Sequence, residues 1–446
     1  MSFAPYPQPL PPRPRRSRFV PVLAALLGLS ALITVGGGAT AVAAAGGPTG
    51  AVARFVAELR PEVRDPALRA LLERRAKAVR DKDRKAFLAD VDTTDPAFAR
   101  RQAQEFDNLT RLPLTELRYD VQSKSNYDRL VPPAVRQRYH SVVRAAAVTI
   151  RYRVDGIDTA PVAAPWAPVF GHRDGHWRLA GVIADAALPT GANGQAWDSG
   201  PIVVARSARA VLVLSAEDAG RAADMLRMAE AALDHVAAVR PGGWAGRILI
   251  TAVQDAKLFT TYFGDTPDRI DNFAAIAVPY YADVPDWSDH PKYAATRVVF
   301  NPHEFGADPA ELAHDLTHEF THAAMGPVTT DHTPLWVVEG FAEYVAFKSE
   351  QVGGAYARRA LEGFTSGPTP PDADFYSDGR NYVLGWLMCR MIAQKYGEAK
   401  LAALYEGYQA TGDDDTVIRQ VLGVDRSTLF AQYAAYVDRA RAGSLP

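Results

Sequence analysis

The chain has 446 residues, enough for two or three domains with cores of their own. An apolar fraction of 48%, a charged fraction of 22% and a formal net charge of -2 describe a globular protein and exclude the strongly basic balance of a nucleic-acid binder. The single cysteine, Cys389, excludes an intramolecular disulfide, and any metal site must use nitrogen and oxygen ligands.

Residues 1–18 are rich in proline and arginine and are expected to form a disordered cytoplasmic tail. Residues 19–45 are uncharged, with Arg13, Arg15, Arg16 and Arg18 on one side only. The positive-inside rule makes this a single-pass cell-membrane anchor with the bulk of the chain extracytoplasmic. Small residues in "ATAVAAAGG" also permit cleavage near residue 43, which would give a secreted protein.

Residues 51–188 form the next unit. Leu68, Leu71, Leu72 and Ala76 recur at helical spacing, while Val148, Ile150, Tyr152 and Val154 alternate as in a strand. Helices first, then strands ending in "HWRLAGV", resemble the nuclear-transport-factor-like cone fold. That resemblance implies an α+β domain acting as a spacer, a pairing module or a small-ligand binder. The glycine-rich Pro189–Pro201 marks a linker. Residues 196–446 then begin with strands in "IVVARSARAVLVLS", continue through a long helix and the strands "GRILITAV", "FAAIAVPYY" and "ATRVVFNP", and become almost wholly helical after Asp308. Strands followed by helices without regular alternation indicate α+β. Cys389 sits in the apolar run "GWLMCRMIA", as an inert buried thiol does.

The chemistry concentrates in "LAHDLTHEFTHAAMG". Asp308 suits a helix cap, Pro309 the first helical position, Glu311 a capping box, and Gly326–Pro327 a stop. Leu312, Leu316 and Phe320 form a row that faces a core, and His314, His318 and His322 form another. Histidines one turn apart lie ~6 Å apart along the axis, so their rings can converge on one ion with bonds of about 2.0–2.1 Å. A third histidine a further turn away cannot join them. His318 and His322 are selected because they enclose Glu319, which can take a proton from metal-bound water.

A second helix follows in "TPLWVVEGFAEYVAF", with Thr333 as cap and Pro334 at its first position. It presents Glu339 as a third ligand and Glu343 one turn on, where it can accept the second N–H of a ligating histidine. Two histidines and a glutamate leave a fourth position open, as in catalytic zinc sites.

"HEFTH" with "WVVEGFAEY" resembles the gluzincin zinc metallopeptidases of the peptidase MA-like branch. The resemblance implies a thermolysin-like domain with a small mixed sheet, a metal helix and a helical C-terminal lobe. It implies one zinc per chain on His318, His322 and Glu339, with Glu319 as base. Tyr382, in the Tyr-x-x-Gly segment "NYVLG", is implied as the oxyanion donor, with Tyr376 as its alternative. By the same resemblance the strand "RVVFNP" should line the cleft and pair with extended substrate. No Gly-x-Met-Glu-Asn-like segment anchors a substrate amino terminus, so exopeptidase specificity is not implied. The expectation is an extracytoplasmic zinc-dependent peptidase acting on peptides or proteins. The alternative is a catalytically weak or inactive relative serving as a membrane-anchored binding module.

Overall fold

The computed structural model describes residues 66–446 except 141, 184–194, 256–257, 259–273, 285–291, 302–307, 350, 353, 363–368, 371, 373–374 and 446. The molecule is a mixed α+β protein with two small sheets.

The N-terminal half opens with α1 (Pro66–Arg80), α2 (Arg84–Ala89) and α3 (Pro96–Leu109). Leu68, Leu71, Leu72 and Ala76 of α1 are all buried, as their spacing requires. The Asp95 side chain caps α3 by accepting from the Ala97 and Phe98 amides. The first sheet consists of β1 (Leu114–Asn126), β2 (Val143–Val154), β3 (Val162–Trp166), β4 (Pro168–Arg173) and β5 (His176–Val182). It is antiparallel in the order β1-β2-β4-β5, with β3 also on β2. A helix, α4 (Pro133–Arg138), lies between β1 and β2 in the chain. The β4–β5 turn is Asp174–Gly175, both at positive φ (55° and 79°), which matches the twist of a tight hairpin.

The second sheet contains β6 (Ile202–Arg206), β7 (Ala210–Ser215), β8 (Ile248–Ala252), β9 (Ala275–Tyr281) and β10 (Tyr293–Phe300), in the order β6-β7-β8-β10-β9. The inner pairs β7/β8 and β8/β10 are parallel, and the outer strands run antiparallel to their neighbours. Between β7 and β8 the chain forms α5 (Ala222–Val239), the crossover a parallel pair needs. Successive side chains of these strands serve two cores. Ala210, Leu212, Leu214, Ile248 and Ile250 face the C-terminal helices, whereas Val211, Val213 and Leu249 face the N-terminal half. Being covered on both faces explains why β7 and β8 are unbroken apolar runs.

The C-terminal lobe is helical: α6 (Pro309–Met325), α7 (Leu335–Ala346), α8 (Ala355–Leu361), α9 (Arg380–Tyr396), α10 (Glu398–Gly407), α11 (Asp414–Leu422) and α12 (Arg426–Arg441).

Residues 189–194 of the glycine-rich Pro189–Pro201 expected as a linker lie outside the described residues, and near its end Trp197 is buried with its ring 4.8 Å from that of Tyr152. The Asn108 amide clasps the same turn, donating to the Trp197 and Gly200 carbonyls at 3.1 and 3.0 Å. Composition favours a break there, but one large aromatic ring recovers enough apolar burial to pin the turn. One core joins Phe106 and Tyr152 of the N-terminal half to Val213, Val278 and Val299 of the second sheet. The single-pass membrane localisation does not stand. No helix among the described residues is long and apolar enough to cross a membrane, and segment 19–45, on which it rested, lies outside the described residues.

Arg297 of β10 locks the two halves. Its guanidinium donates to both Asp158 oxygens at 3.1 and 2.8 Å and to the Tyr152 hydroxyl at 2.5 Å. It lies 4.8 Å from the Tyr152 ring centre and 4.4 Å from that of Tyr280. The ion pair is almost fully enclosed, with side-chain exposures of 6% and 0%. Removing one partner of a buried pair leaves the other charge without compensation. Asp158→Ala is therefore expected to cost about 3–5 kcal/mol in urea unfolding; an unchanged midpoint would show that the two halves are not locked through this pair.

Candidate metal centre

Helix α6 starts as its sequence dictates, with the Asp308 carboxylate accepting the Ala310 amide at 2.8 Å and Pro309 in the first turn. Leu312, Leu316 and Phe320 are buried in the main core. His318 and His322 project from the helix with 2% and 7% exposure, so they too are enclosed. Helix α7 starts differently from expectation. Thr333 Oγ accepts the Thr330 amide at 3.2 Å, and Pro334 occupies the cap position without a side-chain cap. The Leu335 amide is instead satisfied by Asp372, at 2.8 Å, a long way along the chain.

What aims α7 at the histidines is its contact with α9. A Cβ added to Gly340 would meet the Gly385 carbonyl oxygen at 2.5 Å. The two backbones touch because neither residue has a side chain. This crossing joins the "EGFAEY" and "YVLG" segments, and it carries Glu339 and Tyr382 to the same place.

The donors converge. His318 Nε2 and His322 Nε2 are 2.9 Å apart, and Glu339 Oε2 lies 3.3 Å from the first and 3.5 Å from the second. A tetrahedral ion with bonds of about 2.0–2.1 Å holds neighbouring donors about 3.3 Å apart. The triangle therefore fits a single metal ion, and it leaves one face for a fourth ligand. Among the described residues this buried His318/His322/Glu339 group is the one arrangement of this kind. His314 stands apart from it, its ring 4.4 Å from that of Phe347.

The residues around the triangle are ordered. Glu343 places Oε1 3.6 Å from His318 Nδ1, and its other oxygen accepts the Tyr356 hydroxyl at 2.9 Å. Tyr376 donates to Glu339 Oε1 at 3.2 Å, holding the oxygen that faces away from the histidines. Tyr382 is buried, with its ring 6.2 Å from that of His318. Glu319 accepts a backbone hydrogen bond from Ala277 of β9. The strand expected to line the cleft is thus the wrong one. Arg297–Phe300 belong to β10, which is paired on both sides, and Arg297 points to the N-terminal half. The strand beside Glu319 is β9, at the edge of the sheet.

Electrostatics follow from enclosure. Burial, reinforced by the Glu339 and Asp315 charges, pushes the Glu319 carboxyl up to about 8. Burial likewise raises Glu343 to about 8, with Glu339 and Asp315 adding to it. Burial would also raise Glu339, but the His322 charge and hydrogen bonds from both histidines hold it at about 2. His318 is lowered by burial, whereas His322 is raised because the Glu339, Glu319 and Glu343 charges outweigh its desolvation. Burial thus opposes the charged forms of Glu319 and Glu343, and a cation in the triangle would favour them.

Asp315, Tyr356, Asp372 and Ala277 escaped sequence reading. No spacing rule ties them to the histidines, and Asp315 alone was visible, one turn before Glu319 on the same helix. No family model, no curated protein and no solved structure matches the chain, so the chemistry rests on the site's own geometry.

Gly340→Ala should force α7 and α9 apart, destabilising the fold by about 1–3 kcal/mol and weakening metal uptake through Glu339. Thermal unfolding with and without zinc checks both; a stable variant with unaltered uptake would mean the close crossing does not aim the ligand.

Proposed function

We propose that residues 196–446 form a zinc-dependent peptidase of gluzincin type, with a thermolysin-like domain of sheet, metal helix and helical lobe. Residues 51–188 form an α+β cone-fold domain packed against it. The observation that carries this reading is the buried His318/His322/Glu339 triangle, with the buried Glu319 close enough to feel the His322 and Glu339 charges. Two ring nitrogens and one carboxylate oxygen suit zinc, and three protein ligands rather than four suit catalysis.

A zinc ion in this triangle, one per chain, supplies a Lewis acid for the attacked carbonyl and for the attacking water. The protein does the rest. Glu319, buried and steadied by the Ala277 amide, takes the proton of the attacking water and passes it to the leaving amine. A carboxyl raised by burial holds a proton long enough to return it. Tyr382, whose ring lies 6.2 Å from that of His318, is the hydroxyl assigned to steady the oxyanion, with Tyr376, which donates to Glu339, as the alternative. An extended peptide is the substrate class that an edge strand favours, since among the described residues β9 pairs with β10 alone in its sheet, and its other edge would receive the substrate's backbone.

Glu319→Gln should retain one zinc per chain and lose hydrolysis of a peptide library by about 100-fold or more. Turnover at the wild-type rate would remove Glu319 from the base role. Full zinc occupancy in a wild type that cleaves no peptide would instead favour a binding module with a peptidase-like site.

A further inference from the structure

The proposed chemistry leaves His314, Phe347 and Tyr356 without a task, yet they form one continuous stack. The His314 ring lies 4.4 Å from Phe347 at a 34° tilt. Phe347 stacks on Tyr356 at 4.3 Å with planes only 6° apart. Tyr356 then meets Trp386 edge-on at 5.6 Å. The four rings come from α6, the end of α7, α8 and α9, so rings from three other segments back the tyrosine of α8. Trp386 has no exposed surface, which anchors the far end.

The stack points the Tyr356 hydroxyl at one acceptor, Glu343 Oε2, at 2.9 Å. Glu343 is itself wholly buried. Holding one of its oxygens turns the other toward His318 Nδ1, 3.6 Å away. His318 in turn presents Nε2 to His322 and Glu339. At 3.6 Å this contact is longer than a hydrogen bond, so Glu343 acts on the ring as a nearby polar group. A small approach of the two would let it accept the Nδ1 proton and hold the ring as a metal ligand requires.

We propose that Tyr356 is a positioning residue of the metal centre: carried by the His314–Phe347–Trp386 stack, it fixes Glu343 and through it the His318 ring. This rests on the reading of the triangle as a zinc site. It gives the third histidine of the helix a purpose other than coordination.

The test is zinc affinity of the full chain, measured by competition with a fluorescent chelator using zinc alone. Tyr356→Phe keeps the stack and removes only the hydroxyl, and should weaken zinc binding about 10- to 100-fold without loss of fold. Tyr344→Phe is the control, since its hydroxyl bonds Glu398 at 2.7 Å, and it should bind zinc as the wild type does. If Tyr356 acts through Glu343, the double variant Tyr356→Phe/Glu343→Gln should bind no more weakly than Glu343→Gln alone. Wild-type affinity in Tyr356→Phe, or additive losses in the double variant, would overturn the positioning role while leaving the zinc site intact. A wild type that takes up no zinc would overturn the metal centre and the positioning role with it.

Discussion

The constraint at the centre of the C-terminal lobe is a cluster of buried acids set around two histidines. Glu319, Glu339 and Glu343 have exposures of 6%, 1% and 0%, and Asp315 adds a fourth acid at 8%. His318 and His322 lie among them, His318 lowered by burial and by the His322 charge and His322 raised by the surrounding carboxylates. Burial disfavours the charged forms of Glu319 and Glu343, and a cation beside them would favour those forms. Hydrophobic residues of similar size would be the more stable choice in such a place. The His318, His322 and Glu339 donors within it lie at the spacing that one metal ion could bridge.

The surroundings make sense as supports for that arrangement. Gly340 and Gly385 let two helices approach until their backbones touch. The second sheet is buried on both faces, which makes β9 a firm wall beside Glu319. The N-terminal half then acquires a mechanical part. Arg297, held by Asp158 and Tyr152 across the interface, also packs on Tyr280 of that same edge strand. Two modules that composition would separate are tied through the strands nearest the site.

What the sequence revealed and what it hid divide along a physical line. The histidine helix was legible because its information is local: a cap, a turn-spaced pair and an enclosed glutamate lie within one segment. Glu339 and Glu343 were legible for the same reason. Sheet order was not, because nothing in "RVVFNP" says whether the strand lies inside a sheet or at its edge. Tyr356 and Asp372 were equally hidden, since each reaches its partner from a distant segment. In the glycine-rich stretch composition reports an average tendency, to which Trp197, a single buried residue, runs counter.

The central claim is that the triangle holds zinc. The direct measurement is the zinc content of the purified chain after dialysis against a weak chelator, compared with Glu339→Ala. The account predicts one zinc per chain in the wild type and its loss in the variant. A folded wild type that emerges without metal, or a variant that keeps it, would contradict the account and leave the histidines as polar residues of an ordinary helix.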